Sequence, residues 1–265
     1  MLDKSLNYLI PNKINDLIRL GNNRDAGYVV SQSALNNCSC LISFGMAENF
    51  TIEEDFIKLS NDKKIHIYDH AINDMYFYKR IYKSIKRLLY FKSNFKNILS
   101  KLKDFKNYQK IKNNNRIKHF KEKIGPSGVD KITSLNEVIN RFDRSDKIFL
   151  KSDIEGDEFK FLKDLSSQSD KIHLVVVEFH FLDKNRKEFK ETIIELRKNF
   201  HLIHLHGNNY SSYCDDGLPK VLEISFINKK YYNVEDGAYN LSFPIKNLDF
   251  PNIEHEKDLE FSFEI

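Results

Sequence analysis

Short apolar runs alternate along the chain with segments of helical spacing, and most of the runs stop on polar or acidic residues. Cys40–Phe44, Ile65–Tyr68, Lys147–Leu150, Lys171–Val177, Phe200–Leu205 and Val221–Ile227 have the length and composition of buried strands. Between them, helical spacing is carried by Phe50, Phe56 and Ile57 behind an acidic first turn, Glu53-Glu54-Asp55. It recurs over Ser134–Phe142, at Phe159, Leu162 and Leu165, and over Lys187–Lys198. Residues 4–20 also show it, through Leu6, Leu9, Ile10, Ile14, Leu17 and Ile18, and predict an N-terminal helix that Pro11 breaks or restarts. A polar turn between Gly21 and Gly27 then leads into a short strand at Tyr28-Val29-Val30. Arg116–Ile124 reads as a further strand closing on Gly125-Pro126-Ser127-Gly128. Strands alternating with helices predict an α/β fold with a mainly parallel sheet and helices on both faces. No repeat or low-complexity linker divides residues 1–265, which therefore read as one domain.

One stretch interrupts the rhythm. Residues 75–123 hold sixteen Lys/Arg against two acids, interleaved with Tyr76, Phe77, Tyr78, Tyr82, Tyr90, Phe91, Phe95 and Phe105. Aromatics among cations mark nucleic-acid or membrane-surface binding. They also mark a pair of amphipathic helices whose aromatics are buried and whose lysines are solvated. The near-helical spacing favours the second reading, a basic helical insertion over about 75–118 that lids or flanks a site. The whole chain carries a net charge of only +4, so no strong global bias toward a polyanionic partner accompanies it. There is no run of 18 apolar residues and no signal-peptide core at the start, so neither a membrane span nor a secretory leader is expected. Cys38, Cys40 and Cys214 are odd in number and lack metal-pair spacing. They read as thiols in a reducing cytoplasm.

The chemistry gathers at the ends of the strands. Lys147–Leu162, KIFLKSDIEGDEFKFL, passes from strand to helix through four carboxylates. Glu155, Asp157 and Glu158 suit a helix N-terminus, where negative charge offsets the macrodipole. Asp153 precedes the helix and sits at the strand's mouth. In a parallel sheet the neighbouring strand ends would bring Gly45 with Glu48, Asp69, the Glu178/His180 pair, and His206 with Asn208 and Asn209 to the same edge, where α/β proteins bind ligands. Asp69 follows the Gly45 turn at about the 20-residue spacing of an acid that accepts ribose hydroxyls. The turn itself, Ser43–Glu48, has one glycine and is poorly shaped for a pyrophosphate. That points to a nucleoside ligand without phosphates, S-adenosylmethionine being the obvious one.

Four segments together resemble class I S-adenosylmethionine-dependent methyltransferases of the FkbM-like group, which includes bacterial surface-sugar O-methyltransferases. They are RLGNNRDAGYVV, LISFGMAENFTIEEDF, LKSDIEGDEFKFL and VVVEFH with LIHLHGNN and LPKVLEISFI. The resemblance runs from about Arg19 to Pro251, the basic insertion excepted. It implies a Rossmann-like, seven-stranded sheet with the cofactor at the first two strand ends: Gly45 and Glu48 at its methionine part, Asp69 on the ribose, Ile124 and Gly125 along the adenine, with Asp153 also expected at the cofactor. The chain departs from the group in carrying Ala26 where a second glycine is usual, and in a rebuilt region after Asp69.

Methyl transfer to a hydroxyl requires the acceptor oxygen in line with the methyl group and an outlet for its proton. His180 and His206 are the candidate bases, and Asp153 or Glu178 can orient an imidazole or act directly. Asp153, Glu178 and a histidine, His206 among them, could instead hold a divalent metal such as Mg, Mn or Zn. Asn208 and Asn209, with Glu178, would hydrogen-bond sugar hydroxyls, unless the asparagines merely form a turn. The resulting expectation is a cytoplasmic O-methyltransferase of a nucleotide-linked or capsular sugar, with no membrane span, the oligomeric state left open, and nucleic acid disfavoured as a partner. The alternatives are an RNA methyltransferase gripping RNA with the basic insertion, and a non-catalytic interaction module with a vestigial pocket.

Overall fold

The computed structural model describes every residue of the chain except Ala47, Tyr239 and Ile265, together with all side chains but those of Lys163, Asp236 and Ala238. Two strands, β1 (Leu17–Gly21) and β2 (Gly27–Ser31), form an antiparallel hairpin ahead of the main sheet. That sheet is built from β3 (Cys40–Phe44), β4 (Lys64–Tyr68), β5 (Ile117–Phe120), β6 (Ile148–Ser152), β7 (Ile172–Phe179), β8 (Phe200–Gly207) and β9 (Leu222–Asn228). Its spatial order is β8-β9-β7-β6-β3-β4-β5, and only β9 runs antiparallel. This is a Rossmann-like α/β fold. The chain starts the sheet in its middle, builds outward through β4 and β5, and returns to lay β6 on the other side of β3. The strand order therefore reverses between β3 and β6, the place where open α/β sheets open a crevice for ligands.

The strands form because their residues are apolar on both faces. Every residue of β3, β6, β7 and β9 is buried, as suits strands covered by helices on each side. The helices are α1 (Gln32–Asn37), α2 (Thr51–Lys58), α3 (Asp74–Leu89), α4 (Phe95–Lys112), α5 (Leu135–Ile139), α6 (Glu158–Phe161) and α7 (Arg186–Asn199). Helix α5 begins on a reciprocal capping box between Ser134 and Glu137. One core lies on the α5–α7 side of the sheet, around Phe161, Leu165, Val177 and Phe189. The other lies under α2 and the β1–β2 hairpin, around Leu41, Phe56, Ile67 and Val176.

The N-terminal helix expected over residues 4–20 is not formed. Lys4–Leu9 is a short 3₁₀ helix, Pro11 follows it, and Leu17–Gly21 is β1, whose backbone bonds go to β2 rather than to its own turns. The insertion is helical as expected, but its aromatics are not a buried stripe. Phe77 and Tyr108 are buried, whereas Tyr78, Tyr82, Tyr90, Phe91 and Phe95 are exposed.

Two backbone positions bear directly on the site. Gly45, just after β3, has φ +73°, and a Cβ there would collide with the carbonyl oxygen of Asp153. The ends of β3 and β6 can approach this closely only without a side chain. Ala26, in the β1–β2 turn, also has a left-handed φ of 58°, which accounts physically for a glycine being usual there. Gly45→Ala is accordingly expected to lower unfolding free energy by about 2–4 kcal/mol, and Ala26→Gly to raise it by about 0.5–1 kcal/mol, both read by urea denaturation.

Candidate active site

A cavity of about 400 Å³ opens at the carboxyl end of the sheet between β3, β4 and β6. It is lined by Gly45, Asp69, Ile124 and Asp153, four of the residues expected from the sequence at a cofactor, and also by Tyr76 at the start of α3. Among the described residues its lining holds five carboxylates (Asp69, Glu122, Asp153, Glu155 and Asp157) and one lysine, Lys123; Glu122 is paired with Arg141, and Asp157 with Lys123 and Lys160. Such a lining disfavours a polyphosphate and favours a cation. Asp69 ends β4, and its carboxylate accepts the backbone N–H of Met46 at 3.0 Å, of Ala71 at 2.8 Å and of Ile72 at 3.1 Å. These bonds fix the two loops that form the cavity's wall.

Two residues expected at the cofactor do not line this cavity. Glu48 turns away and clamps the insertion: it accepts the Tyr76 hydroxyl at 2.7 Å and pairs with Arg80 and Lys101. Burial works against its charge, but Tyr76 and the two cations outweigh it and hold its carboxyl below the usual range. Gly125 lies behind Ile124, where its N–H donates to the Thr133 carbonyl.

The second group of polar residues forms a row along the same edge. β-Sheet register sets Glu178 opposite Glu223, and Glu223 opposite His206, and Asp153 extends β6 alongside Glu178. Two residues before Asp153 on β6, Lys151 is buried and donates to the Gly45 carbonyl at 2.8 Å, with its ammonium 4.0 Å from Asp153. A lysine interrupting the apolar run of a central strand is a sequence signal for a buried, specifically partnered cation, one that the acids following it mask.

His180, just beyond β7, meets the row at Asp153. Its Nδ1–H donates to Glu158 at 2.7 Å, which turns Nε2 toward Asp153 and Glu178, each 3.9 Å away. Glu158 is fully buried and also accepts the Gly156 N–H at 2.9 Å. It is thus more than a charge at a helix start: it selects the imidazole's tautomer and direction. Burial opposes charge on His180, but the hydrogen bond and charge of Glu158, then Asp153, prevail and raise its pKa above 6.5. Glu178 is driven the other way. Its burial, with Asp153 and Glu223 nearby, raises its carboxyl well above the ordinary value. Asn208 holds it from behind, donating to Oε1 at 2.6 Å.

His206 does not join this cluster. Its Nδ1 bonds Glu223 at 2.9 Å and its Nε2 bonds Asp258 at 3.1 Å, leaving no nitrogen free to take a proton. Burial disfavours its charge, yet Glu223 and Asp258 overcome this and push its pKa well up. Strand order puts it three strands from Asp153, roughly 14 Å at ordinary strand spacing. Asn209 is likewise committed, through Ile253 and Lys257, to pinning the C-terminal segment. Among the described residues, the three whose ligand atoms converge within 4.8 Å are Asp153, Glu178 and His180, not the trio containing His206.

These positions bear on the comparisons with known proteins. Residues 38–208, more than half of the chain, match the methyltransferase FkbM domain. No curated protein sequence matches the chain. Among solved structures, similarity is found to a spermidine synthase from Thermotoga maritima, at 11% identity over 78% of this chain and 64% of that one (TM-score 0.39). Another is a precorrin-6y C5,15-methyltransferase from Geobacter metallireducens GS-15, at 10% identity over 74% and 85% (TM-score 0.36). A third is a fibrillarin pre-rRNA processing protein from Methanococcus jannaschii, at 9% identity over 74% and 69% (TM-score 0.37).

If Glu158 sets the charge on His180, Glu158→Gln should bring the histidine's pKa down toward or below 6.5. The NMR titration of its ring protons reads this directly, and an unchanged midpoint would remove Glu158 from the site. With the matched domain spanning six of the sheet's seven strands, and Asp69, Asp153, Glu178 and His180 among them, the chain belongs to the FkbM methyltransferase family, class I S-adenosylmethionine-dependent enzymes.

Proposed function

We propose that the chain transfers a methyl group from S-adenosylmethionine to a sugar hydroxyl, with His180 as the general base. The observation that carries the reading is the orientation of the imidazole: Glu158 fixes Nδ1 and leaves Nε2 facing Asp153 beside the cofactor cavity. The cavity's residues fit the cofactor. Asp69 ends β4 where a ribose acceptor is needed, Ile124 and Ile72 give an apolar wall for a purine, and the carboxylates favour a cationic sulfonium. When bound, S-adenosylmethionine supplies an electrophilic methyl group.

The chain's own residues do the rest. Lys151 and the Gly45 carbonyl hold the β3 and β6 ends together, so that Asp153 belongs both to the cavity and to the His180 cluster. A hydroxyl presented there loses its proton to His180 Nε2 as it is methylated, and the resulting imidazolium is stabilised by Glu158 and Asp153. Glu178 hydrogen-bonds the acceptor sugar, and Asn208 keeps it in place. Asn208 thus acts through Glu178 rather than on the sugar. The choice of a sugar, nucleotide-linked or part of a surface polysaccharide, rests on the family; none of Lys79, Lys83, Lys86 or Arg87 lines the cavity.

A second reading has its own observation. Asp153, Glu178 and His180 converge closely enough to ligate one divalent ion, with Glu158 and Asn208 orienting two of the ligands from behind. Bound there, a cation would acidify the acceptor hydroxyl as a Lewis acid.

The test is incubation with S-adenosylmethionine and a panel of nucleotide sugars, glycans and RNA, with and without chelator, followed by mass spectrometry for a product heavier by one methylene. His180→Ala should lower kcat by about 10²–10⁴ and leave S-adenosylmethionine affinity unchanged. With the raised pKa of His180, kcat of the unaltered chain should fall as pH drops through that value, because the protonated ring cannot accept a proton. Methylated RNA with no methylated sugar would refute the acceptor class, and chelator-sensitive turnover would select the metal reading.

A further inference from the structure

The hairpin of α3 and α4 leaves an apolar strip uncovered. On α3, Tyr78, Tyr82, Ile85 and Leu89 repeat at helical spacing on one face and are 52%, 67%, 41% and 73% exposed. On α4, Phe95, Leu99 and Leu102 do the same, at 62%, 51% and 44%. The rings of Tyr78 and Phe105 lie 5.1 Å apart and set the register of the two antiparallel helices. Both rise about 1.5 Å per residue, so Leu89 comes level with Phe95 and the two rows run side by side for roughly 16 Å. Tyr90 and Phe91 close the strip at the hairpin's tip, Phe91 being 98% exposed. Packing against the body is done by other residues: Phe77, Ile98, Tyr108 and Ile111.

Cations border the strip. Lys79, Lys83, Lys86, Arg87, Lys92 and Lys96 have no ion-pair partner among the described residues, whereas Arg80, Lys101 and Lys112 are held by Glu48, Asp104 and Asp74. We propose that this hairpin docks the chain on an anionic lipid surface, its apolar strip and tip entering the headgroup boundary and its free lysines meeting lipid phosphates. Apolar burial combined with a polybasic border is the pair of signals that stable peripheral attachment requires. Charge complementarity selects this occupant. A second copy of the chain would set one uncompensated basic border against another. A nucleic acid would satisfy the cations but give Ile85, Leu89, Leu99 and Leu102 nothing apolar to cover them, since bases stack on rings. The hairpin joins the body at the cavity, where Tyr76 is both a wall residue and the partner of Glu48, so docking would bring the cavity's mouth near the lipid surface. The inference stands independently of the acceptor proposed above.

The chain has no tryptophan, so Phe91→Trp gives one reporter at the tip. Full-length F91W should show a blue-shifted emission, quenched by brominated acyl chains, on mixing with phosphatidylcholine vesicles containing phosphatidylglycerol. Binding should weaken about tenfold or more with pure phosphatidylcholine or at high salt. Leu89→Gln combined with Phe91→Gln, with circular dichroism unchanged, should abolish co-sedimentation with the anionic vesicles. The proposal is overturned if F91W does not shift with anionic vesicles. It is overturned equally if the same shift appears without lipid on raising protein concentration, or with RNA alone.

Discussion

The close approach of two strand ends governs this molecule. β3 and β6 lie side by side where the sheet's order reverses, and Gly45 lets its backbone run against the Asp153 carbonyl. Lys151 closes the same junction from within the sheet by donating to the Gly45 carbonyl. With a side chain at position 45 the strands would part, and Asp153 would leave either the cavity or the His180 cluster. Because Gly45 has none, one carboxylate serves both.

Around that junction the site is built from charges that hold one another in chosen states. Burial, with Asp153 and Glu223 nearby, pushes the Glu178 carboxyl well above its ordinary range, and Glu158 fixes the direction of His180. Two strands further on, Glu223 and Asp258 bond both ring nitrogens of His206 and, against the cost of burial, push its pKa well up. The two histidines look alike in sequence, each at the end of a buried strand. Their neighbours separate them: His180 keeps one nitrogen toward Asp153, which lines the cavity, and His206 has both nitrogens bonded to carboxylates.

Much of this was legible in the residues alone. The strands declared themselves because they are buried on both faces and so read as unbroken apolar runs, and their parallel order followed from the intervening helices. Asp69, Asp153 and Gly45 could be placed because strand ends converge in such a sheet. What failed did so where long-range pairing decides. Residues 17–21 have helical spacing but find backbone partners in β2. Glu158 looked like a helix charge because its partner lies 22 residues away, and Glu48, close to the cavity in sequence, is drawn off by Tyr76, Arg80 and Lys101. The aromatics of the insertion had the spacing of a core face, yet spacing cannot say whether a second surface exists to cover it.

The central claim is that the cofactor cavity and the Asp153–Glu178–His180 cluster are one site joined at Asp153. A crystal structure of the chain with S-adenosylhomocysteine tests it most directly. The account predicts the ribose on Asp69, the purine along Ile124, and the sulfur on the side of the cavity bounded by Asp153 and facing His180. A ligand seated elsewhere, or one whose sulfur points away from Asp153 with no path to His180, would contradict it.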